Sequence, residues 1–332
     1  MGSPSWSDKH YADKVAHAAA TGKSAFDYDD TLKKAPASAR KAHDTLNPHG
    51  LKVRESRDSD AHPESKAIAV WFDVTGSMHS IPRRLQAKLP SLMGLLLKKG
   101  YIKDPQVLFG AIGDAYSDRV PVQVGQFESG IEMDDNLGNF YLEGGGGGSM
   151  SESYDLALYT MARHTSIDCY EKRGEKGYMF LIGDENPYDI VSKRHIEQVF
   201  GTKIQDDIKI EDIVAEASEK YEIYMLFVRS GCYQAYEGSI KAKWQSLFPE
   251  RVIELDDPEL VCEVIAGIIG VSEGTVDHSG LVNDLKDMGS TSTSAESASR
   301  AIAPVVAGKV AKVGTVSGGS LAAAGAGTGS DI

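Results

Sequence analysis

Cysteine is scarce in this chain of 332 residues. Cys169, Cys232 and Cys262 are three in number and widely spaced, which gives neither a disulfide framework nor a zinc-ligand spacing and fits a reducing compartment. No apolar stretch approaches the roughly 20 residues that span a bilayer, and no basic and then apolar start marks a leader segment. The expectation is a cytoplasmic protein without a membrane partner, or a virion component if a phage encodes it. Positive charge is also in short supply. Lys and Arg number 35 against 48 Asp and Glu, a formal net charge of −13. That balance argues against nucleic acid or an anionic membrane as the main partner and leaves room for a local basic patch.

What is present is concentrated in a few places. Residues 68–78 read Ile-Ala-Val-Trp-Phe-Asp-Val-Thr-Gly-Ser-Met, an apolar run that delivers Asp73, Thr75 and Ser77 onto a turn containing Gly76. A strand buried on both faces reads as such a run, and ligands of open α/β sheets bind beyond the carboxyl ends of the strands. One carboxylate and two hydroxyls make a hard, oxygen-only environment suited to Mg²⁺, with Mn²⁺ as a substitute. Taken alone, the same residues would serve as a turn that caps the next helix.

Two further motifs follow in order. Gly144 to Gly148 are five consecutive glycines, followed by Ser149-Met150-Ser151-Glu152-Ser153 and a helical pattern from Tyr154 to His164. Gly177 to Glu185 is a second apolar strand ending in a carboxylate, Asp184. Across roughly residues 65–272 the three motifs together resemble the von Willebrand factor A family, whose metal-ion-dependent adhesion site reads Asp-x-Ser/Thr-x-Ser in its first loop. The resemblance implies a metal site of Asp73, Thr75, Ser77, Ser149 and Asp184, with Ser151 and Glu152 competing with Ser149 for the second-loop position. Here Gly-Asp-Glu stands where the family usually has Thr-Asp-Gly. The resemblance also implies a Rossmann-like fold and a cation completed by an acidic residue of a partner protein. Some bacterial relatives work beside AAA-type ATPases, which makes such a machine a candidate partner.

Periodicity supports the same fold class, an α/β, mostly parallel, doubly wound central sheet with helices on both faces. Leu85, Leu89, Leu92, Met93, Leu96 and Leu97 recur at helical spacing and predict one amphipathic helix that Gly100 can stop. Val107–Gly113 reads as a second strand and Val120–Phe127 as an edge partner. A helix near 210–220, strands over 223–228 and 251–255, and a helix over 258–269 complete the domain. Residues 1–64 read as an extension that wraps the domain at 65–272. Within it, residues 54–63 could lie near the metal face. Residues 273–332, dominated at their end by Ser, Thr, Gly and Ala, read as a low-complexity, disordered tail.

Simpler and rival readings stand beside these. The glycine run is also what a flexible surface loop looks like, Asp184 would also serve as a helix cap, and His79 is more often a surface residue than a ligand. Thr21-Gly22-Lys23-Ser24 has the ending of a phosphate-binding loop but no preceding strand. Asp27-Tyr28-Asp29-Asp30-Thr31 resembles the nucleophile motif of haloacid-dehalogenase-type phosphatases, with Asp27 as nucleophile, Asp29 as general acid, and Asp184 and Asp189 holding Mg²⁺. The segment before Asp27 is not an apolar strand, so the expected function is not enzymatic. It is a metal-dependent protein-binding adaptor. A structural or assembly protein of a bacterial or phage particle, in which the metal only stabilises the domain, is the alternative.

Overall fold

The computed structural model describes residues 5–78, 80–146, 148–229 and 234–305; His79, Cys232 and residues 306–332 lie outside the described residues. The first long strand, β1 (Ser65–Asp73), shows why its apolar run has no alternation. Ile68, Val70 and Phe72 enter one buried cluster, while Ala67, Ala69 and Trp71 enter another on the opposite face.

β1 is joined by β2 (Asp104–Ile112), β3 (Val122–Val124), β4 (Gly177–Gly183), β5 (Tyr221–Val228) and β6 (Val252–Leu255) in a six-stranded sheet of order β6-β5-β4-β1-β2-β3. All neighbours are parallel except the edge strand β3, which runs antiparallel to β2. Helices Ile81–Ala87, Leu89–Met93 and Val261–Glu273 contribute to the cluster on one face, and helices Tyr154–Arg163, Ile210–Lys220 and Glu237–Leu247 to that on the other. This is the doubly wound arrangement expected from the alternating pattern. The chain winds outward from β1 to β3 and then returns to place β4 on the other side of β1. The strand order therefore reverses between β1 and β4, and ligands gather at such a switch point.

Three local expectations are corrected. The helix predicted across Leu85–Leu97 is broken at Lys88, restarts at Leu89–Met93 and ends in a π-helical turn over Gly94–Lys98. Pro90 has no N–H with which to continue the ladder, and the Gln86 carbonyl one turn back accepts the Tyr11 hydroxyl at 2.8 Å. Second, part of the tail is helical. His278–Asp287 and Ser292–Ala301 fold as helices and bury Leu281, Leu285, Ala295, Ala298 and Ile302 in the core. Small side chains let the second helix approach closely, which a count of large apolar residues misses. Third, residues 54–63 sit away from the candidate site. Arg54–Ser56 pairs with Thr165–Ile167, and the Asp58 carboxylate accepts from the Ser65 backbone and hydroxyl at the amino end of β1. Asp73 ends the same strand roughly 25–30 Å away.

The remaining N-terminal residues form helices Asp8–Thr21 and Asp27–Lys34, and Tyr11, Phe26 and Leu46 join the core. Gly22 closes the first helix in the left-handed conformation, so Thr21–Ser24 is a helix end. Asp29 is buried, accepts from the Leu142 backbone and pairs with Lys33, and it lies in a helix instead of at a strand end. Among the described residues no helix is long and apolar enough to cross a membrane.

Candidate metal site

Asp73 is the last residue of β1 and Asp184 follows the end of β4, so the two carboxylates come from the adjacent strands that flank the reversal in strand order. Both are buried. Beyond Asp73 the chain turns sharply, and Asp73 Oδ1 accepts from the Thr75 backbone at 2.7 Å and from the Thr75 hydroxyl at 2.6 Å. The Ser77 hydroxyl donates to Asp184 Oδ1 at 3.1 Å. The first and third motifs are thus linked directly, with each hydroxyl oxygen still carrying lone pairs for another partner.

The glycine-rich loop closes over this turn. Gly76 donates to the Gly145 carbonyl at 3.1 Å, and Gly144 to the Val74 carbonyl at 3.1 Å. Gly146 has φ +107, a conformation that favours glycine, and a Cβ built there would come within 3.0 Å of Glu152 Oε1 and 3.4 Å of Thr75 Cβ. Close backbone approach, beyond mere flexibility, therefore accounts for part of the run. The loop is tied to its other neighbour by Gly146 donating to Asp118 and by the Ser153 hydroxyl accepting from Ala115.

The structure separates the three second-loop candidates by burial and contacts. Ser149 is exposed, and its hydroxyl contacts the Ser151 carbonyl at 3.0 Å and the Tyr188 hydroxyl at 3.3 Å. Ser151 and Glu152 form a short parallel bridge with Asn186 and Pro187, which turns the Glu152 side chain inward. Glu152 is 1% exposed, and its Oε2 has no hydrogen-bond partner among the described residues. Of the three candidates in the loop, Glu152 is the one that borders, with Thr75, the space at Gly146.

Two residues that the motifs did not single out complete the surroundings. The Tyr154 hydroxyl donates to Asp73 Oδ2 at 2.9 Å. Its ring meets Trp244 edge to face with centroids 5.1 Å apart, and Trp244 Nε1 donates to the Glu185 carbonyl at 2.8 Å. Tyr154 directly follows the serine-rich stretch, so its place in the sequence was a clue, but nothing in the pattern showed which way it points.

Burial governs the electrostatics. It pushes the Asp73 carboxyl up to about 7, against the lowering effect of the Thr75 hydrogen bonds and with a further push from the Asp184 charge. Burial also raises Glu152 well above the carboxylate range, reinforced by Asp73, Glu185, Asp114 and Asp118. Tyr154 is held well above its usual value first by burial and then by Asp73, which keeps it a donor. Several acids thus crowd one end of the sheet and are costly to ionise together.

This donor set suits a hard divalent cation, whose charge would stabilise the ionised carboxylates and engage the open Glu152 oxygen. Among the described residues no three His, Cys, Asp or Glu side chains converge as a metal cage, so such a cation would also need the Thr75 and Ser77 hydroxyls. Asp189, assigned to Mg²⁺ in the phosphatase reading, instead pairs with Lys243 at 2.5 Å.

No family model matches the chain, and no curated protein matches it. Among solved structures, the open form of the pilus adhesin SpaC from Lactobacillus rhamnosus GG aligns over 67% of this chain at 12% identity and a TM-score of 0.46. Proximal thread matrix protein 1 from the mussel byssus aligns over 69% at 10% identity and 0.40. The conserved hypothetical protein BatB from Bacteroides thetaiotaomicron aligns over 63% at 11% identity and 0.38. The aligned regions span 32%, 47% and 98% of those three chains. Likeness at this level carries no weight in assigning a role to the site.

Proposed function

We propose that the cleft at the carboxyl ends of β1 and β4 binds Mg²⁺, with Mn²⁺ as a substitute, and through it a carboxylate of a partner protein. The observation that carries this reading is the convergence of buried Asp73, Thr75, Asp184 and Glu152 and half-buried Ser77 at the reversal in strand order, with one Glu152 oxygen lacking a partner among the described residues. The resemblance of the three sequence motifs to the von Willebrand factor A family supports it independently.

In this reading Thr75, Ser77 and Glu152 supply oxygens to the cation, and Asp73 and Asp184 orient the two hydroxyls and supply negative charge. When bound, the cation provides the local positive charge to which an incoming Asp or Glu side chain attaches. Tyr154 holds the Asp73 carboxylate in place from behind. A protein of net charge −13 would otherwise repel an acidic ligand, so partner binding depends on the metal. Loop 114–118 and segment 185–205, which includes helix Lys193–Phe200, would select the partner, for which an AAA-type ATPase is a candidate on the sequence resemblance alone.

An affinity pull-down from the native host, run with Mg²⁺ and with EDTA for the wild type and Asp73→Ala, tests the reading. A partner lost both on chelation and in the variant is expected. A partner set unchanged in both would move the function to the termini and favour the assembly role.

A further inference from the structure

A second site stands apart from the metal cleft and does not depend on that reading. Segment 40–49, segment 119–122 and the end of helix Lys193–Phe200 enclose a cleft of about 210 Å³. Its polar lining is Arg40, Lys41, Asn47, His49, Arg119 and Gln198, over a floor of proline, valine and alanine. No carboxylate is among its lining residues, although acidic residues outnumber basic ones in the chain by 48 to 35. A cleft that holds three Lys and Arg side chains and no carboxylate in such a protein is a local reversal of the overall charge.

The pairing of these side chains shows which charges are already used. Lys41 pairs with Asp44 at 2.9 Å. Of the acids on neighbouring segments, Glu197 pairs with Lys203 at 3.1 Å, and Glu143 accepts from the Val120 backbone at the edge of the cleft at 2.9 Å. Arg40 is anchored by its Nε to the Ala35 carbonyl and by its Nη2 to the Lys33 carbonyl, contacts that fix its position without neutralising it. Arg119 is exposed and has no hydrogen-bond or ion-pair partner among the described residues. Neither guanidinium has an ion-pair partner among the described residues.

We propose that this cleft binds a phosphate monoester. A phosphoryl group of that kind carries about −1.5 to −2 charge at neutral pH and offers three acceptor oxygens, which matches the open Arg119 fork and the positive charge of the anchored Arg40, with the Asn47 and Gln198 amides beside them. The planar fork of arginine suits a tetrahedral oxyanion better than a point charge would. The volume is below the roughly 300–1,000 Å³ of sites for drug-sized ligands. It fits a phosphoryl group with the first atoms of its carrier, either a small phosphate ester or a phosphorylated side chain.

Calorimetric titration of the full chain in EDTA, which removes any contribution from a cation site, tests this. The probes are inorganic phosphate, free phosphoserine, a short phosphoserine peptide and acetate at matched ionic strength. Phosphate and phosphoserine are expected to bind in preference to acetate, and Arg119→Ala to weaken them about tenfold or more, the effect of losing a hydrogen bond between charged groups. Arg119 is exposed and unpaired, so this variant should keep its fold, which circular dichroism checks. Tighter binding of the peptide than of free phosphoserine would identify a phosphorylated protein as the source, and equal binding a small ester. Equal affinity in the wild type and Arg119→Ala, or binding of acetate as strong as phosphate, would overturn the proposal.

Discussion

Tyr154 donates its hydroxyl to Asp73 Oδ2 at 2.9 Å from a fully buried position, and Gly183 at the end of β4 makes the room for it. A Cβ at Gly183 would collide with the Tyr154 hydroxyl. The strand end that precedes Asp184 is thus shaped around the residue that holds Asp73, which links the two acids of the candidate site through packing as well as charge.

Tyr154→Phe removes that hydrogen bond and leaves the ring in place. It is expected to cost about 1–3 kcal/mol in stability and to weaken Mg²⁺ binding. Gly183→Ala should reproduce the loss of metal affinity by displacing the hydroxyl. Chemical denaturation and metal titration of both variants provide the check, and wild-type metal affinity in both would show that Tyr154 only fills space.

The raised Asp73 carboxyl sets a pH dependence. Its value in the folded state, about 7, lies above that of the unfolded chain, so between about pH 4 and pH 7 the folded state binds more protons. Its contribution to stability is therefore complete below about pH 4 and is lost as the pH rises through about 7. Without metal, thermal stability should decline across that window. A cation replaces the protons, so the gain in melting temperature on adding Mg²⁺ should be larger at pH 8 than at pH 5. Scans with and without Mg²⁺ at the two values measure this, and an equal gain at both would contradict it.

The C-terminal helices make a different prediction from the one that composition suggested. Removing residues 278–332 strips Leu281, Leu285, Ala295, Ala298 and Ile302 from the core and uncovers the face of helix Val261–Glu273 that Leu281 and Ile302 cover at Gly267. Burial of two leucines and an isoleucine contributes about 1.5–3 kcal/mol each, so a loss of several kcal/mol is expected. A melting temperature unchanged by the truncation would show that these helices do not hold the domain together.

These cases mark what the sequence made legible. Strands β1, β4 and β5 stood out because burial on both faces leaves an uninterrupted apolar run, and their order with the helices implied the parallel sheet. Asp73 and Asp184 were found because each ends such a run. The break at Lys88 was harder to see, since leucine spacing continues across it and only Pro90 interrupts the backbone ladder. Helix Ser292–Ala301 was missed because its buried surface is alanine, which composition alone does not separate from a loose tail. The choice between Ser149 and Glu152 was undetermined for another reason. Successive glycines allow many backbone paths, so which side chain turns inward depends on the pairing of Ser151–Glu152 with Asn186–Pro187, a contact between segments distant in sequence.

Titration calorimetry of Mg²⁺ into the wild type, Asp73→Ala, Glu152→Gln and Ser149→Ala tests the central claim most directly. The account predicts saturable binding to the wild type, its abolition in Asp73→Ala, a clear weakening in Glu152→Gln and no change in Ser149→Ala. Wild-type affinity in Asp73→Ala, with the fold intact, would contradict it.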